Sequence, residues 1–488
     1  MPLTASEKNR QALIALFGNA ALADKLQALR IGVISDASSF VASGKLVAEA
    51  LGDVLGRLWV SIDAVGPLSD LVLKAAERAA ASGNKPLTAH ETWSPPYDAV
   101  VVLGQPPSGD IGPQIRVGAD GWMLYAGPAS RFSNSPVPVA PTFAAGLAGA
   151  EVFKTAFRME LSDTARPIGS VELNLLDFGR PTVAHFPSDI VLPRTHIFGV
   201  GAVTHGLLWV LERWPGKLSG ELLLIDPDSY DGSNGQRYAG MTADYKGPKA
   251  EVKEQILRSR HAGIEVTGFE IDGDTYFDRY EPIPNVSLAV SGVDSKEMRR
   301  HIALKLPRRA VNMWTEGTWV GAARFGGGDG WPCLMCRYAE PREAALDDVT
   351  RISRASQLSP HRVRELLDGD SRLTPQDAAI VAQRLGGTSD KIAGQSIWSI
   401  LHEICATGAI QMPGQEQRAD VPFAFSSLLS GVAGFVNLIQ ELSGIQTRPF
   451  DWSYDVLERL HKNCATPASP DANCMLCGGA YSLDITTA

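Results

Sequence analysis

Two pairs of cysteines, Cys333-Leu-Met-Cys336 and Cys474-Met-Leu-Cys477, stand in a chain that has only six cysteines among 488 residues. Two such knuckles offer four thiolates, the closed tetrahedral shell of a structural zinc, which would clip the distant chain end back onto its domain. A redox dithiol and ordinary core cysteines are the competing uses. A second group of residues suits a nucleotide. Gly199 and Gly201 follow the apolar run HIF, a turn whose backbone N–H groups and positive helix end favour phosphate. Asp226 closes the next apolar run, where a carboxylate accepts from ribose hydroxyls. Thr204 occupies the third glycine position of G-x-G-x-x-G, so the turn alone suits NAD, ATP or a purely structural bend. The loop DPDSYDGSNGQRY then adds Asn234 and Arg237, and GPK adds Lys249. A planar guanidinium fork and a compact ammonium converging here suit a polyphosphate longer than a dinucleotide bridge. Asp294, ending VSLAVSGVD, falls at the carboxyl edge of a sheet, where a carboxylate can hold Mg²⁺ against phosphate oxygens.

The elements that must carry these residues occur twice. HIFGVGAVTHGLLWVLERWPGKLSGELLLID and RIGVISDASSFVASGKLVAEALGDVLGRLWVSID share the order strand, turn, helix, strand. Each is followed by a short apolar strand, YDAVVVLG or VSLAVSGVD, and by a long small-residue helix, PTFAAGLAGAEVFKTAF or FAFSSLLSGVAGFVNLIQEL. A polar strand region, RPIGSVELNLLDFG or RPFDWSYDVLERL, closes each copy. The pattern predicts an α/β chain of two Rossmann-like domains, each with a mostly parallel sheet. The first copy lacks the glycine turn, reading VISDASSF, and no Asn/Arg loop follows Asp63. It is expected to be a degenerate, non-binding half. The expected domains are 1–182 for the first copy, 183–339 with 421–488 for the second, and 340–420 for a helical insertion. Within that insertion Ser359-Pro360 and Thr374-Pro375 read as helix starts, and Ile397, Ile400, Leu401 and Ile404 as one apolar helix face. The stretch 406–420 reads as a mobile loop.

Composition narrows the class. Forty-five Lys and Arg against 54 Asp and Glu give a net charge of −9 without long single-sign runs, which argues against a nucleic-acid partner. No uninterrupted apolar run approaches the ~20 residues of a spanning helix, and MPLTASEKNR lacks the pattern of a signal peptide. A reducing, cytoplasmic setting is expected from the sparse cysteines.

GVGAVTHG, LLLIDPDSYDGSNGQRY, GPK and SGVDS together resemble the ATP-adenylating family of ubiquitin-activating enzymes and the sulfur-carrier activators of thiamin and molybdopterin synthesis. The resemblance covers most of residues 196–480, and the first half more faintly. It is greatest for the E1-like component of bacterial ubiquitin-like conjugation operons of the Bil antiviral type. It implies that Asp226 binds ribose, that Asn234, Arg237 and Lys249 hold phosphates, and that Asp294 holds magnesium. The sequence departs from the family at Ala202, Thr204, Tyr238 and Ser295. The N-terminal NRQALIALFGNAALADKLQALRIGVI is similar to the family's opening segment. It implies that Arg10 serves the second half's site, with the two halves forming an internal pseudo-dimer and the chain acting as a monomer. A Cys₄ zinc at Cys333, Cys336, Cys474 and Cys477 fits the same resemblance.

Two cysteines remain. Cys405 ends the predicted helix IWSILHEIC and opens the 406–420 loop; it is the leading candidate for a thioester, with Cys464 second. His402 is read as incidental. The expected activity is adenylation of the C-terminus of a ubiquitin-like protein, then a thioester on Cys405 for transfer to an E2-like protein. Competing readings are a sulfur-carrier or peptide adenylating enzyme without a thioester, a non-catalytic nucleotide-binding scaffold, and an NAD oxidoreductase.

Overall fold

The computed structural model describes residues 4–17, 21–109, 111–161, 165–176, 178, 188–282, 285–326, 330–338, 349, 352–353, 356–368, 372–385, 389–395, 397, 422–443, 450–460, 464–472, 474 and 476–477. They form two compact units, Met1–Tyr338 with Asp420–Ala488, and Ala339–Ala419.

The first unit holds both copies. The first copy runs α1 (Ala5–Phe17), α2 (Ala21–Ala28), β1 (Arg30–Ser35), α3 (Ala42–Leu58), β2 (Ser61–Val65), α4 (Ser69–Ser82), β3 (Thr88–His90), β4 (Ala99–Leu103), β5 (Gln114–Asp120), β6 (Met123–Ala126), α5 (Val139–Ala156) and β7 (Val171–Asn174). The second begins with β8 (Ile190–Phe198), α6 (Ala202–Glu212), β9 (Leu218–Ile225), α7 (Lys249–Arg260), β10 (Ile264–Phe269) and α8 (Gly273–Tyr280). It continues with β11 (Leu288–Ser291), α9 (Lys296–Leu304), β12 (Arg309–Glu316), β13 (Trp319–Gly326) and α10 (Leu334–Tyr338). The other unit intervenes with α11 (Pro360–Asp368), α12 (Pro375–Leu385) and α13 (Ser389–Ile392), and α14 (Ala424–Ser443), β14 (Phe450–Asp455) and β15 (Ala465–Pro467) complete the second copy.

The two sheets repeat one plan. Their orders are β3-β2-β1-β4-β5-β6-β7 and β10-β9-β8-β11-β12-β13-β14-β15. In each sheet the first five strands are parallel and the next two antiparallel. Apolar runs such as AVVVL in β4 and LAVS in β11 are buried at every position, as parallel strands covered on both faces require. The register also corrects one equivalence. Asp63 lies inside β2, paired with Gly32, whereas Asp226 follows the last paired residue of β9. The chain leaves β2 through Gly66-Pro67, so the first copy has no carboxylate where Asp226 stands.

Small residues let the long helices meet. A Cβ on Gly431 of α14 would lie 2.2 Å from Val203 O and 2.6 Å from Gly206 Cα of α6. On the α5 side, one on Gly149 would lie 2.6 Å from Val54 and 3.1 Å from Phe425. Overpacking such a crossing costs about 1–3 kcal/mol. Although no long apolar run was expected, α14 is long and apolar enough to cross a membrane by length and composition; 89% of that window is buried inside the protein. It is the helix on which the core converges.

The second unit is a small helical body around Ile352, Leu358, Val363, Leu366, Leu373, Val381 and Ile392. Its two expected helix starts are present. Ser359 Oγ accepts from Arg362 N, and Thr374 Oγ1 accepts from Asp377 N while the Asp377 carboxylate accepts from Thr374 N. Of the predicted apolar face only Ile397 is described, and it is buried; Ile400, Leu401 and Ile404 lie outside the described residues, as does 406–420.

Candidate functional site

Sheet registry brings the candidate nucleotide residues to the carboxyl edge of the second sheet. Gly199 has φ +83°, and a Cβ there would lie 2.9 Å from Val293 N, so the turn after β8 packs directly on the residue preceding Asp294. Gly201 is the N-cap of α6. Thr204 does not fill the turn but closes it: its hydroxyl donates to Gly199 O at 2.6 Å. Asp226 is buried, with one carboxylate oxygen accepting from Val200 N at 2.6 Å and the other from Asp228 N at 2.8 Å. Burial pushes its pKa up, while Lys249 and the two N–H donors oppose that. Lys249 Nζ lies 2.6 Å from Asp228 and 3.9 Å from Asp226.

The polar loop is a 3-10 turn, Gly232–Gln236, with Asp231 as its N-cap. Asn234 is buried and its side-chain oxygen accepts from Asp231 N at 3.1 Å, a reciprocal capping box that fixes the turn. Arg237 leaves the turn half-buried. Its guanidinium carbon lies 5.4 Å from the Tyr238 ring, and Lys249 Nζ lies 5.6 Å from the same ring. Tyr238 is thus an aromatic platform shared by both cations. His205 anchors this platform. Its Nδ1 faces Ala239 O at 3.1 Å and its Nε2 faces the Tyr230 hydroxyl at 2.8 Å. A carbonyl only accepts, so Nδ1 carries the proton and Nε2 accepts from Tyr230. Burial holds His205 well below the usual imidazole range, hence neutral. Asp294 is exposed in the loop before α9, whose N-cap is Ser295.

The N-terminal helix places two cations differently. Arg10 lines a cleft of the first copy with Asn9, Leu26, Gln27, Leu58 and Lys85. Lys8 is half-buried and senses Arg237, Asp231 and Lys249. Burial first, then the Arg237 and Lys249 charges, push its pKa down to about 8. Two residues span ~200° around a helix, so Lys8 and Arg10 face apart. Lys8, Asp228, Tyr238 and His205 were missed as site residues; the Asp228-Lys249 pairing and the helix face of Lys8 depend on contacts far apart in the chain.

The four cysteines come together. Their sulfurs lie within 4.8 Å of one another, with Cys333–Cys474 at 3.4 Å, Cys336–Cys477 at 3.1 Å and Cys333–Cys336 at 3.8 Å. A tetrahedral site with ~2.3 Å Zn–S bonds needs sulfurs about 3.8 Å apart, so the cluster fits zinc. Crowded thiols compete for protons: the hydrogen bond between Cys333 and Cys336 drives Cys333 up and Cys336 down to about 5. Asp471 N also points to the Cys336 sulfur at 3.5 Å, the backbone donor that a metal thiolate uses. Cys464 is buried in the main core. Cys405 and His402 lie outside the described residues.

Comparison with known proteins agrees with the family read from the sequence. Protein y4jF of Sinorhizobium fredii (strain NBRC 101917 / NGR234) is 28% identical over 444 residues, covering 85% of this chain and 82% of that protein. Among solved structures, Escherichia coli MccB with ATP is 12% identical, covers 75% of this chain and 98% of its own, and has a TM-score of 0.36. The same protein with AMPCPP and MccA gives 12%, 75%, 97% and 0.36. Residues 8–171 match the family model of the BilD N-terminal domain. Over that stretch the chain is similar to the BilD N-terminal domain.

Proposed function

We propose that the chain uses ATP to activate the C-terminal carboxylate of a ubiquitin-like protein and carries it as a thioester to an E2-like protein, in a reducing, cytoplasmic setting. The observation that carries this reading is the set of cations around one buried carboxylate. Lys249 lies 3.9 Å from Asp226 and shares the Tyr238 ring with Arg237, and Lys8 feels the charge of both. Such a set neutralises a triphosphate, whereas a dinucleotide bridge needs the glycine turn alone.

In this reading Asp226 holds the ribose, and the Gly199–Gly201 turn, Asn234, Arg237 and Lys249 hold the phosphates. Asp294 would hold Mg²⁺, which would neutralise charge on the phosphate oxygens. The substrate carboxylate attacks the α-phosphorus, pyrophosphate leaves, and an acyl-adenylate forms. Arg237 and Lys8 stabilise the negative charge that develops there. The Cys405 thiolate then attacks the acyl carbonyl, AMP leaves, and the thioester remains for an E2-like thiol. Because the mixed anhydride supplies a good leaving group, the site needs no general acid–base pair. The four-cysteine cluster is structural. The test is modifier-dependent exchange of labelled pyrophosphate into ATP, followed by a search for a DTT-sensitive adduct. Exchange that is lost in Arg237→Ala, with an adduct lost in Cys405→Ser, is the expected pair of results. Exchange without any adduct would leave adenylation and remove the thioester step; tight NADH binding without exchange would remove both.

A further inference from the structure

The Gly232–Gln236 turn of the second copy, next to the proposed phosphate-binding Arg237, is gripped by a buried ion pair from the first. Arg57, on α3, is 1% exposed. Its guanidinium donates to both Asp53 oxygens at 2.7 and 2.9 Å, to Gly235 O at 2.7 Å, to Met241 O at 3.1 Å and to Ser82 Oγ at 3.1 Å. Asp53 in turn accepts from Gly240 N at 3.3 Å. The two carbonyls and the amide belong to residues 235, 240 and 241, which bracket Arg237. Packing excludes slack here: a Cβ on Gly235 would lie 2.5 Å from Gly83 N and Cα. From α1, Asn9 donates to Arg57 O at 2.8 Å.

We infer that Asp53 and Arg57 are positioning residues: the first copy, without a nucleotide site of its own, sets the place of Arg237 and Tyr238 in the second. A lone buried ion pair is a poor stabiliser, because desolvation offsets its attraction. Here two of the five donors of one guanidinium go to the second copy's backbone, at Gly235 and Met241, and the other three hold the guanidinium to Asp53 and Ser82 of the first, which fixes geometry rather than adding affinity by contact. The inference rests on the proposed ATP site for its catalytic consequence, but not for the clamp itself.

The test uses the full chain. Hydrogen–deuterium exchange without nucleotide should show the Gly240 amide protected in the wild type and exchange over 235–241 faster in Arg57→Lys and in Asp53→Asn. In pyrophosphate exchange both variants should raise KM for ATP by about tenfold or more, since misplacing a gripping group by an ångström costs up to ~100-fold. In an Arg237→Ala background the same substitutions should add little further, the sign that Arg57 acts through Arg237. A freely exchanging Gly240 in the wild type overturns the clamp even if neither variant folds. So does a folded Arg57→Lys with unchanged 235–241 exchange and unchanged KM. If the wild type shows no ATP dependence at all, the functional reading falls, and the amide exchange still decides the clamp.

Discussion

The two copies share a strand order but treat the turn after their first strand in opposite ways. In the second, Gly199 and Gly201 leave the end of α6 open beside Asp226. In the first, the corresponding turn is filled by its own anion. Asp36 accepts from Ser38 N at 2.9 Å, Ser39 N at 3.2 Å, Gln105 N at 2.8 Å and Ser38 Oγ at 2.6 Å. Burial raises its pKa, but these donors outweigh burial and hold it below the usual carboxylate range. Under the proposed function, this carboxylate takes the place that a phosphate has at the second copy's turn. The difference teaches that one strand order can carry a turn whose donors are satisfied from within and another whose helix end has no side-chain cap.

The sharpest way to break the contrast is through the element that the first copy lacks. Cys336→Ser with Cys477→Ser should abolish metal retention, read as zinc per chain by mass spectrometry. It should also open the second copy to proteolysis while the first persists, because structural zinc supplies on the order of 10 kcal/mol of binding energy. Next, Arg237→Ala should weaken ATP binding by roughly 10- to 100-fold, the scale of lost charge-assisted hydrogen bonds. Arg30→Ala, which breaks the 3.0 Å pair with Asp63 in the first copy, should leave that affinity unchanged in the same calorimetric titration.

A smaller effect concerns pH. Lys8 has a folded pKa of about 8, below its ordinary 10.5. The unfolded chain therefore binds more protons between these values, and stability rises with pH from about 8 to 10.5. A polyphosphate favours the charged ammonium, so ATP binding takes up a proton there and affinity falls as pH rises through 8. Dissociation constants from pH 7 to 9 should drift upward by up to about tenfold, and Lys8→Arg should flatten the drift. The smallest effect belongs to the filled turn. Asp36→Ala should cost about 1 kcal/mol in thermal unfolding, like loss of an N-cap. Its stoichiometry of ATP binding should match the wild type; a second bound ATP would mean that Asp36 alone keeps the first copy silent.

The repeat was legible because each copy keeps the same run of apolar strands and small-residue helices, a pattern that survives substitution. The Cys pairs and the Ser-Pro and Thr-Pro helix starts were legible for a local reason, since their partners lie within a few residues or share one motif. Asp63 was misleading because both copies end a run with Ile-Asp, and only strand pairing shows that one lies inside its strand and the other beyond it. Lys8 and Arg57 were illegible for a deeper reason. Their partners, Asp231 and Gly235 among them, lie in the other copy, far away along the chain.

The arginine of the first copy has a counterpart. VLGR at 54–57 and VLER at 210–213 end equivalent helices, and Arg213 reaches back across to Glu49 at 2.8 Å while stacking on Trp209. In a dimer of identical chains, one gene position must serve both directions of such a handshake, because an isologous contact uses every residue twice. On a single chain the two directions are separate letters. Arg57 is free to specialise in holding the 235–241 loop and Arg213 in tethering α3, and neither change is copied onto the other.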